Sequence, residues 1–168
     1  MPTTKTLAMR VLERDAIPYG VVEFPESIHD ALGVAAYAGL PPEIVYKTLV
    51  VLLAETGLAS PEAKPFLILV AADRNLDLKK VAHALGVKKV QMASHDEAER
   101  LTGLKVGGIS ALALLNKGFQ VYLDEQARLL EEIVVSAGKR GLNLRTKVEG
   151  LVRVAGAQWM DASRQAGA

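Results

Sequence analysis

The lysine at position 47 is the first residue whose type and setting could do chemistry. It lies in the segment Val45–Leu53, which is otherwise almost wholly apolar. A lysine there either extends its ammonium to water, which is the commoner outcome, or holds it in a cleft. In a cleft the ammonium is a compact positive charge with three N–H donors, which suits a phosphate or the carbonyl of an ester.

Paired glycines form the second candidate, in the segment Val106-Gly-Gly-Ile-Ser110. Two adjacent glycines let the backbone come close to a ligand and direct successive N–H groups at an oxyanion or a phosphate. The alternative is an ordinary tight turn, which most such pairs form. Ser110 has no base beside it in the sequence, so we interpret it as a hydrogen-bonding residue and not as a nucleophile.

A loop from Ser136 to Gly141 is the third candidate. Its sequence, Ser-Ala-Gly-Lys-Arg-Gly, follows the strand-like run Ile133-Val-Val. The simplest interpretation is a hairpin with two glycines and charges at its tip. The functional interpretation is a loop whose backbone N–H groups, together with Lys139 and Arg140, meet a ribose–phosphate group.

Other kinds of catalytic site are excluded by composition and spacing. The chain has no cysteine, which excludes a thiol nucleophile, a disulfide scaffold and a thiolate metal site. The three histidines, His29, His83 and His95, share no spacing typical of metal ligands. We therefore expect no metal and no cofactor, and we interpret each histidine as part of a helix or of a helix start.

The charge balance is also restrictive. Twenty Lys and Arg residues against nineteen Asp and Glu residues leave a net charge of +1. Such a chain does not bind nucleic acid through overall positive charge, so we expect weak intrinsic affinity for a polyanion.

The elements that must position these residues are short strands and amphipathic helices. The strand candidates are rich in Val, Leu and Ile and cover Tyr19–Phe24, Leu49–Ala54, Phe66–Ala72, Lys89–Met92, Phe119–Leu123, Ile133–Ser136 and Leu142–Arg145. Thr56–Pro65 is predicted to be the loop between the second and third of them. The helix candidates are Thr4–Asp15, Asp77–Leu85, a helix that ends near Gly103 and one that ends near Gly156, with a helical or turn segment at Gln126–Glu132.

Capping boxes mark the starts of the last two helices. One is Ser94-His-Asp-Glu97 and the other is Thr146-Lys-Val-Glu149. Because strands outnumber the helices that could connect parallel strands, we predict an α+β fold with a mixed, strongly curved sheet and helices packed outside it.

The length of 168 residues predicts a single domain over residues 1–168, since domains average about 150 residues. The longest apolar runs, Phe66–Ala72 and Leu49–Ala54, are far shorter than the roughly 20 residues that cross a bilayer. The N-terminal residues contain no apolar leader. We expect a cytoplasmic protein that does not enter a membrane.

These segments, in this order, resemble the YbaK-type aminoacyl-tRNA deacylases, which include the Cys-tRNA(Pro) deacylases. Those proteins are free-standing relatives of the editing domain in bacterial prolyl-tRNA synthetases. The resemblance extends from about Ile17 to Asp161. The matching segments are Val45-Tyr-Lys-Thr-Leu49, Leu76-Asp-Leu-Lys-Lys-Val-Ala82, Gly86-Val-Lys-Lys-Val90, Thr102-Gly103, Val106-Gly-Gly-Ile-Ser110 and Gly138-Lys-Arg-Gly-Leu142.

The resemblance implies a barrel-like mixed sheet and a site for the 3′ end of an aminoacyl-tRNA. It implies that Lys47 is the functional lysine, which contacts the aminoacyl-adenosine. The other substrate-binding positions that it implies are Phe24, Gly107, Gly108, Ile109, Ser110, Ser136, Gly138, Lys139 and Arg140. Family members use the substrate's own groups, with orientation and electrostatic stabilisation from the protein, which would explain the missing nucleophile.

Three departures from the family pattern bear on specificity. Ala111-Leu112 replace the Pro and Gly that often follow the serine of the glycine loop, Ala137 replaces a glycine, and Phe24 stands where relatives often carry tyrosine. We therefore keep three hypotheses: a trans-editing deacylase for Cys-tRNA(Pro), a deacylase for another small amino acid such as alanine, or a silent module that binds tRNA or a synthetase. Prolyl-tRNA synthetase is the expected protein partner.

Overall fold

A computed structural model describes residues 4–54 and 65–167 of the chain. The strands are β1 (Tyr19–Glu23), β2 (Tyr46–Leu53), β3 (Phe66–Ala71), β4 (Arg74–Leu76), β5 (Val90–Met92), β6 (Gln120–Asp124), β7 (Glu132–Lys139), β8 (Leu142–Lys147), β9 (Gln158–Met160) and β10 (Ser163–Gln165). The helices are α1 (Leu7–Arg14), α2 (Ala31–Ala38), α3 (Leu78–Leu85), α4 (His95–Thr102) and α5 (Val148–Ala155), with 3₁₀ turns at Pro42–Ile44, Leu112–Lys117 and Glu125–Leu129.

The largest sheet is mixed and has five strands in the order β5-β2-β3-β6-β9. Strand β2 pairs antiparallel with β3 and β5, whereas β6 pairs parallel with β3 and β9. Residues 67–71 of β3 are all buried, as expected of a central strand covered on both faces. Lys47 lies opposite Val70 near the start of β2, so this sheet sets its position.

A second sheet is antiparallel, in the order β1-β8-β7. A parallel bridge between Val45 and Val134 connects it with the first sheet. The main apolar core joins side chains of both sheets, such as Leu69 and Leu144, with Leu12 of α1. The pairing of the described strands does not close the two sheets into a barrel.

The helices pack against these sheets: α1 on β7, α3 on β5 and α5 on β8.

Ser94 caps α4 through the predicted reciprocal capping box with Glu97, so that prediction is confirmed. The second predicted capping box is wrong. Thr146 belongs to β8, and its hydroxyl donates to the carbonyl of Pro18, 3.1 Å away. Lys147 is the N-cap of α5 and makes no side-chain capping bond.

A third, two-stranded sheet pairs β4 with β10. It depends on the buried carboxylate of Asp124, at the end of β6. That carboxylate accepts the Ala162 N–H at 2.9 Å and the Ser163 hydroxyl at 2.6 Å. Arg74 of β4 donates from Nε to the same Ser163 oxygen, 2.7 Å away. A single buried carboxylate thus ties β6 to the small sheet.

The predicted α+β fold, with a mixed sheet and helices outside it, is confirmed. Each of the seven strands predicted above is present, with boundaries shifted by a few residues. Strands β4, β9 and β10 were not predicted, and of helix α2 only a start near His29 was predicted, without an extent. Of the predicted loop Thr56–Pro65, residues 56–64 lie outside the described residues. In the ranges that are described, no helix is both long and apolar enough to span a bilayer.

Replacement of Leu144 by alanine tests the core between the two large sheets. Leu144 is fully buried, so Leu144→Ala removes packed methyl groups and leaves a cavity. We expect the free energy of unfolding to fall by about 2–5 kcal/mol, measured by urea denaturation. Leu129→Ala is the matched control, because Leu129 is 81% exposed, and a change beyond about 0.5 kcal/mol is not expected there. Equal losses in the two variants would contradict this assignment of the core.

Candidate functional site

The first cavity lies beside the start of β2 and has a volume of about 500 Å³. This volume is within the range of roughly 300–1,000 Å³ that is common for small-ligand sites. Its walls come from β2, the starts of α2 and α4, the glycine loop at 106–110, and strands β7 and β8. The lining residues are Ser27, His29, Asp30, Ala31, Val34, Tyr46, Lys47, Thr48, Leu49, Val50, Met92, Ala93, His95, Ala98, Val106, Gly107, Ile109, Ser136 and Asn143.

Lys47 is half-buried in the wall of this cavity, and its ammonium has a defined partner. Its Nζ donates to the backbone carbonyl of Arg74, 2.8 Å away. Burial lowers the pKa of Lys47 below that of an exposed lysine, and the negative charges of Asp73 and Asp30 oppose this shift. Partial desolvation strengthens the interaction of an ammonium with any negative charge that forms nearby.

The carbonyl that holds Lys47 is itself held in place. Arg74 lies in β4 and is anchored to Ser163, which is anchored to the buried carboxylate of Asp124. Lys80 also bonds to the small sheet, from Nζ to the Ser163 carbonyl at 2.8 Å. The position of the Lys47 ammonium therefore depends on the small sheet and on its buried anchor.

Two hydroxyl groups next to Lys47 are buried without a hydrogen-bond partner, Tyr46 OH and Thr48 Oγ1. Burial is also the main cause of the raised pKa of Tyr46. Buried hydroxyl groups in proteins are normally hydrogen-bonded, and both of these residues line the first cavity.

The glycine loop approaches two other stretches of backbone closely. A Cβ on Gly107, whose φ is +92°, would lie 3.1 Å from the Cα of His29. A Cβ on Gly108 would lie 2.9 Å from the backbone nitrogen of Arg140 and 3.0 Å from the carbonyl carbon of Lys139. Contacts this close require glycine. The three segments thus meet backbone to backbone.

Polar side chains form hydrogen bonds with both backbone groups of Val106, the N–H and the carbonyl. Its N–H donates to Glu99 Oε2 of α4 at 2.8 Å, and its carbonyl accepts from Arg140 Nε at 2.7 Å. The loop therefore connects the first cavity with the loop that carries Lys139 and Arg140.

A second cavity of about 560 Å³ lies on the far side of the glycine loop. It is lined by Glu26, Ser27, Gly103, Leu104, Lys105, Gly108, Gly138, Lys139 and Arg140. Ser27 lines both cavities. Among the described residues, no group of three or more His, Cys, Asp or Glu side chains is placed to hold a metal ion.

A family model described as "Aminoacyl-tRNA editing domain" matches residues 25–154. The match covers β2, both glycine-containing loops and both cavities. The chain belongs to the aminoacyl-tRNA editing domain family. The resemblance inferred from the sequence is thereby confirmed, and members of this family remove amino acids from tRNA.

Individual relatives agree with this editing-domain assignment. A protein of Enterococcus faecalis named "Putative Cys-tRNA(Pro)/Cys-tRNA(Cys) deacylase EbsC" is 35% identical over 159 residues, which is 94% of this chain and 92% of that protein. The proline–tRNA ligase of Staphylococcus saprophyticus is 27% identical over 130 residues, 77% of this chain but 21% of the ligase. A crystal structure described as "a putative trans-editing enzyme for prolyl tRNA synthetase" superposes with a TM-score of 0.76, at 26% identity and with 96% and 99% of the two chains covered.

The structure distributes the predicted site residues of this editing domain over two cavities. Lys47, Gly107, Ile109 and Ser136 line the first, and Gly108, Gly138, Lys139 and Arg140 line the second. Two of the predicted residues lie in neither lining. Phe24 is buried in an apolar cluster with Val34 and Val45, and Ser110 is 1% exposed, with its hydroxyl oxygen accepting the Ala113 N–H at 3.3 Å.

The histidines at 29 and 95 and the carboxylate of Asp30 also line the first cavity, although none was predicted to belong to a site. The interpretation of both histidines as helix-start residues agrees with their positions. His29 precedes the α2 N-cap Asp30, and His95 is the first residue of α4. Both helices begin beside the cavity. Sequence spacing does not show this, so the sequence contained no signal that would have placed these residues in the site.

Replacement of Gly108 by alanine tests the close contact between the two loops. The added Cβ has no space, because its nearest neighbours are backbone atoms of Lys139 and Arg140. We expect a loss of about 1–3 kcal/mol in the free energy of unfolding, with amide NMR shifts in residues 105–110 and 136–141. Gly20→Ala is the control, since nothing lies within 4 Å of its added Cβ. Unchanged stability and amide shifts in Gly108→Ala would show that the two loops do not pack in this way.

Proposed function

We propose that this editing domain is a trans-editing deacylase that cleaves the ester between a wrong amino acid and tRNA, with Cys-tRNA(Pro) as its preferred substrate. The observation that carries the proposal is the half-buried Lys47 ammonium. It is held on the Arg74 carbonyl in the wall of a cavity whose other wall is the glycine loop. A cavity of about 500 Å³ suits a small aminoacyl group together with part of the terminal adenosine.

Lys47 would act on the charge that develops during ester cleavage. When a nucleophile attacks the ester carbonyl, its oxygen becomes an oxyanion, and a fixed, partly desolvated ammonium stabilises it more than it stabilises the neutral ester. The negative charges of Asp73 and Asp30 raise the pKa of Lys47 and so oppose the lowering effect of burial. The same charge can also hold the ester oxygens in position before attack.

The nucleophile would come from the substrate or from water. With a cysteinyl ester, the substrate sulfur attacks the carbonyl carbon, the new S–C bond replaces the ester C–O bond, and the ribose oxygen leaves with a proton. With another amino acid, water attacks and the products are the free amino acid and tRNA. Both routes require positioning and charge stabilisation from the protein.

The preference for cysteine rests on similarity to the Enterococcus protein, whose name specifies Cys-tRNA substrates. Alanine is the second candidate, because Ala111-Leu112 depart from the family pattern next to the glycine loop. We further propose that prolyl-tRNA synthetase supplies tRNA recognition, since a net charge of +1 provides little attraction for tRNA. Tight binding of tRNA by this chain alone would contradict that partnership.

The activity is tested by release of labelled amino acid from Cys-, Ala- and Pro-tRNA(Pro). We expect fast release from Cys-tRNA(Pro) and about a 100- to 1,000-fold slower rate for Lys47→Ala, the usual loss when an oxyanion-stabilising group is removed. Lys80→Ala is the matched control. Lys80 also donates to a carbonyl of the small sheet at 2.8 Å, yet it does not line the first cavity.

Each outcome of this assay separates the hypotheses. Faster release from Ala-tRNA(Pro) would replace cysteine by alanine as the substrate. A normal rate in Lys47→Ala would remove this lysine from the mechanism, and equal losses in the Lys47 and Lys80 variants would indicate damage to the small sheet. Salt-dependent tRNA binding without any release would identify a silent binding module.

The pH dependence of the rate tests the charge state of Lys47. If the ammonium is the active form, activity is lost as the pH rises through the pKa of Lys47, and burial places that loss at lower pH than for an exposed lysine. Asp73 raises the pKa of Lys47, so Asp73→Asn should move the loss to still lower pH. The measurement is kcat/KM against pH, corrected for spontaneous hydrolysis of the ester. The substrate is an alanyl ester, because an alanyl group has no thiol whose ionisation would also change the rate.

Glu43→Gln is the control for this experiment, because Glu43 is exposed and is not among the charges that act on Lys47. Its pH profile should match that of the unmodified protein. A shift of the Asp73→Asn profile to higher pH, or no shift at all, would contradict a role for the charged form. A ¹³Cε NMR titration of Lys47 gives the same pKa without an activity assay.

A further inference from the structure

The second cavity differs from the first in its charge. Its lining includes Lys105, Lys139 and Arg140 against one carboxylate, Glu26. The charged residues that line the first cavity are Lys47 and Asp30, which balance each other. The second cavity is therefore the one that attracts an anion, although the chain as a whole is nearly neutral.

The two cavities are neighbours along the glycine loop. Gly107 lines the first cavity and Gly108 lines the second, and successive α-carbons are about 3.8 Å apart. Ser27 lines both. A ligand in the first cavity can therefore extend past this thin wall, so that a group next to its reacting end reaches the second.

One feature of the second cavity would disfavour an anion, namely the end of α4 at Gly103. A helix C-terminus carries partial negative charge on its last carbonyls. Lys117 offsets it, since its Nζ donates to the Thr102 carbonyl at 3.3 Å and lies near Gly103. The helix end therefore does not remove the excess of positive side chains in the lining.

We propose that the second cavity binds the phosphodiester on the 5′ side of the terminal adenosine of tRNA, while the first cavity holds the aminoacyl ester. This inference rests on the proposed function. The aminoacyl ester on the 2′ or 3′ oxygen and that phosphate on the 5′ oxygen belong to the same terminal ribose, and the cationic lining adjoins the ester cavity. Lys105 and Lys139 supply point charges for the phosphate, whereas Arg140 uses Nε to hold the Val106 carbonyl.

Side chains must supply much of this recognition, because two backbone amides in the lining of the second cavity already have partners. The Gly108 N–H donates to the Lys105 carbonyl at 2.7 Å, and the Gly138 N–H donates to Ser136 Oγ at 3.1 Å. Removal of lysine charge should therefore weaken phosphate binding while the loops keep their conformation.

Two synthetic esters that differ by one phosphodiester test the proposal. One is 3′-cysteinyl-adenosine, and the other is the same ester on the dinucleotide cytidylyl-(3′→5′)-adenosine. The readout is the ratio of kcat/KM for the dinucleotide to kcat/KM for the nucleoside. We expect a ratio of about 10 or more in the unmodified protein, since a hydrogen bond to a charged group contributes about one order of magnitude in affinity.

The variant Lys105→Gln/Lys139→Gln should reduce this ratio to between about 1 and 3. The matched control is Lys79→Gln/Lys147→Gln, which removes two exposed lysine charges outside both cavity linings and should keep the original ratio. Because each protein is compared with itself on two substrates, a partial loss of folded protein does not change the result.

Three results would overturn the phosphate site. They are a ratio near 1 in the unmodified protein, an unchanged ratio in the Lys105/Lys139 variant, or an equal fall in the control variant. If the unmodified protein cleaves neither ester, nor the alanyl versions, the proposed function fails only when the charged tRNAs release no amino acid either. Amide NMR shifts on addition of cytidylyl-(3′→5′)-adenosine or adenosine then decide the phosphate site alone. It stands only if the dinucleotide, and not the nucleoside, shifts residues 103–108 and 138–141.

Discussion

The contact of the Gly107–Gly108 backbone with two other stretches of backbone is the constraint on which both cavities depend. On one side the loop lies against His29, and on the other it lies against Lys139 and Arg140. These segments come from distant parts of the chain and belong to different elements. A side chain at either glycine would push them apart, and the wall between the two cavities would move with them. A few tenths of an ångström in this contact therefore set the shape of the whole site.

Local sequence features were sufficient to predict much of this fold. The apolar runs at β2 and β3 and the reciprocal cap at Ser94 and Glu97 depend on residues that are near each other in sequence. The family itself could be recognised because the order of several short motifs survives when overall identity is low. The prediction of a cap at Thr146 was wrong because its hydroxyl has another hydrogen-bond acceptor, the Pro18 carbonyl.

The rest of the fold and site depends on contacts between distant residues. Strands β4, β9 and β10 are three residues long, too short to show a period, and they exist because a partner strand is present. Helix α2 is apolar on every face, so it lacks the pattern of an amphipathic helix. The division of the predicted site residues between two cavities, and the position of His29 and His95 in the first, follow from packing that no local pattern encodes.

The ammonium of Lys47 is held by a main-chain carbonyl, that of Arg74, and every amino acid at position 74 would provide the same acceptor. A substitution at that position keeps the acceptor wherever β4 stays in place, although the Arg74 side chain helps to hold the strand through its Nε bond to Ser163 Oγ. What must be preserved is the anchor of the strand, in which Asp124 binds Ser163 and the neighbouring Ala162 N–H. A backbone carbonyl that accepts a hydrogen bond does not depend on which amino acid supplies it. Comparison of side chains among relatives would therefore overlook the acceptor of the Lys47 ammonium.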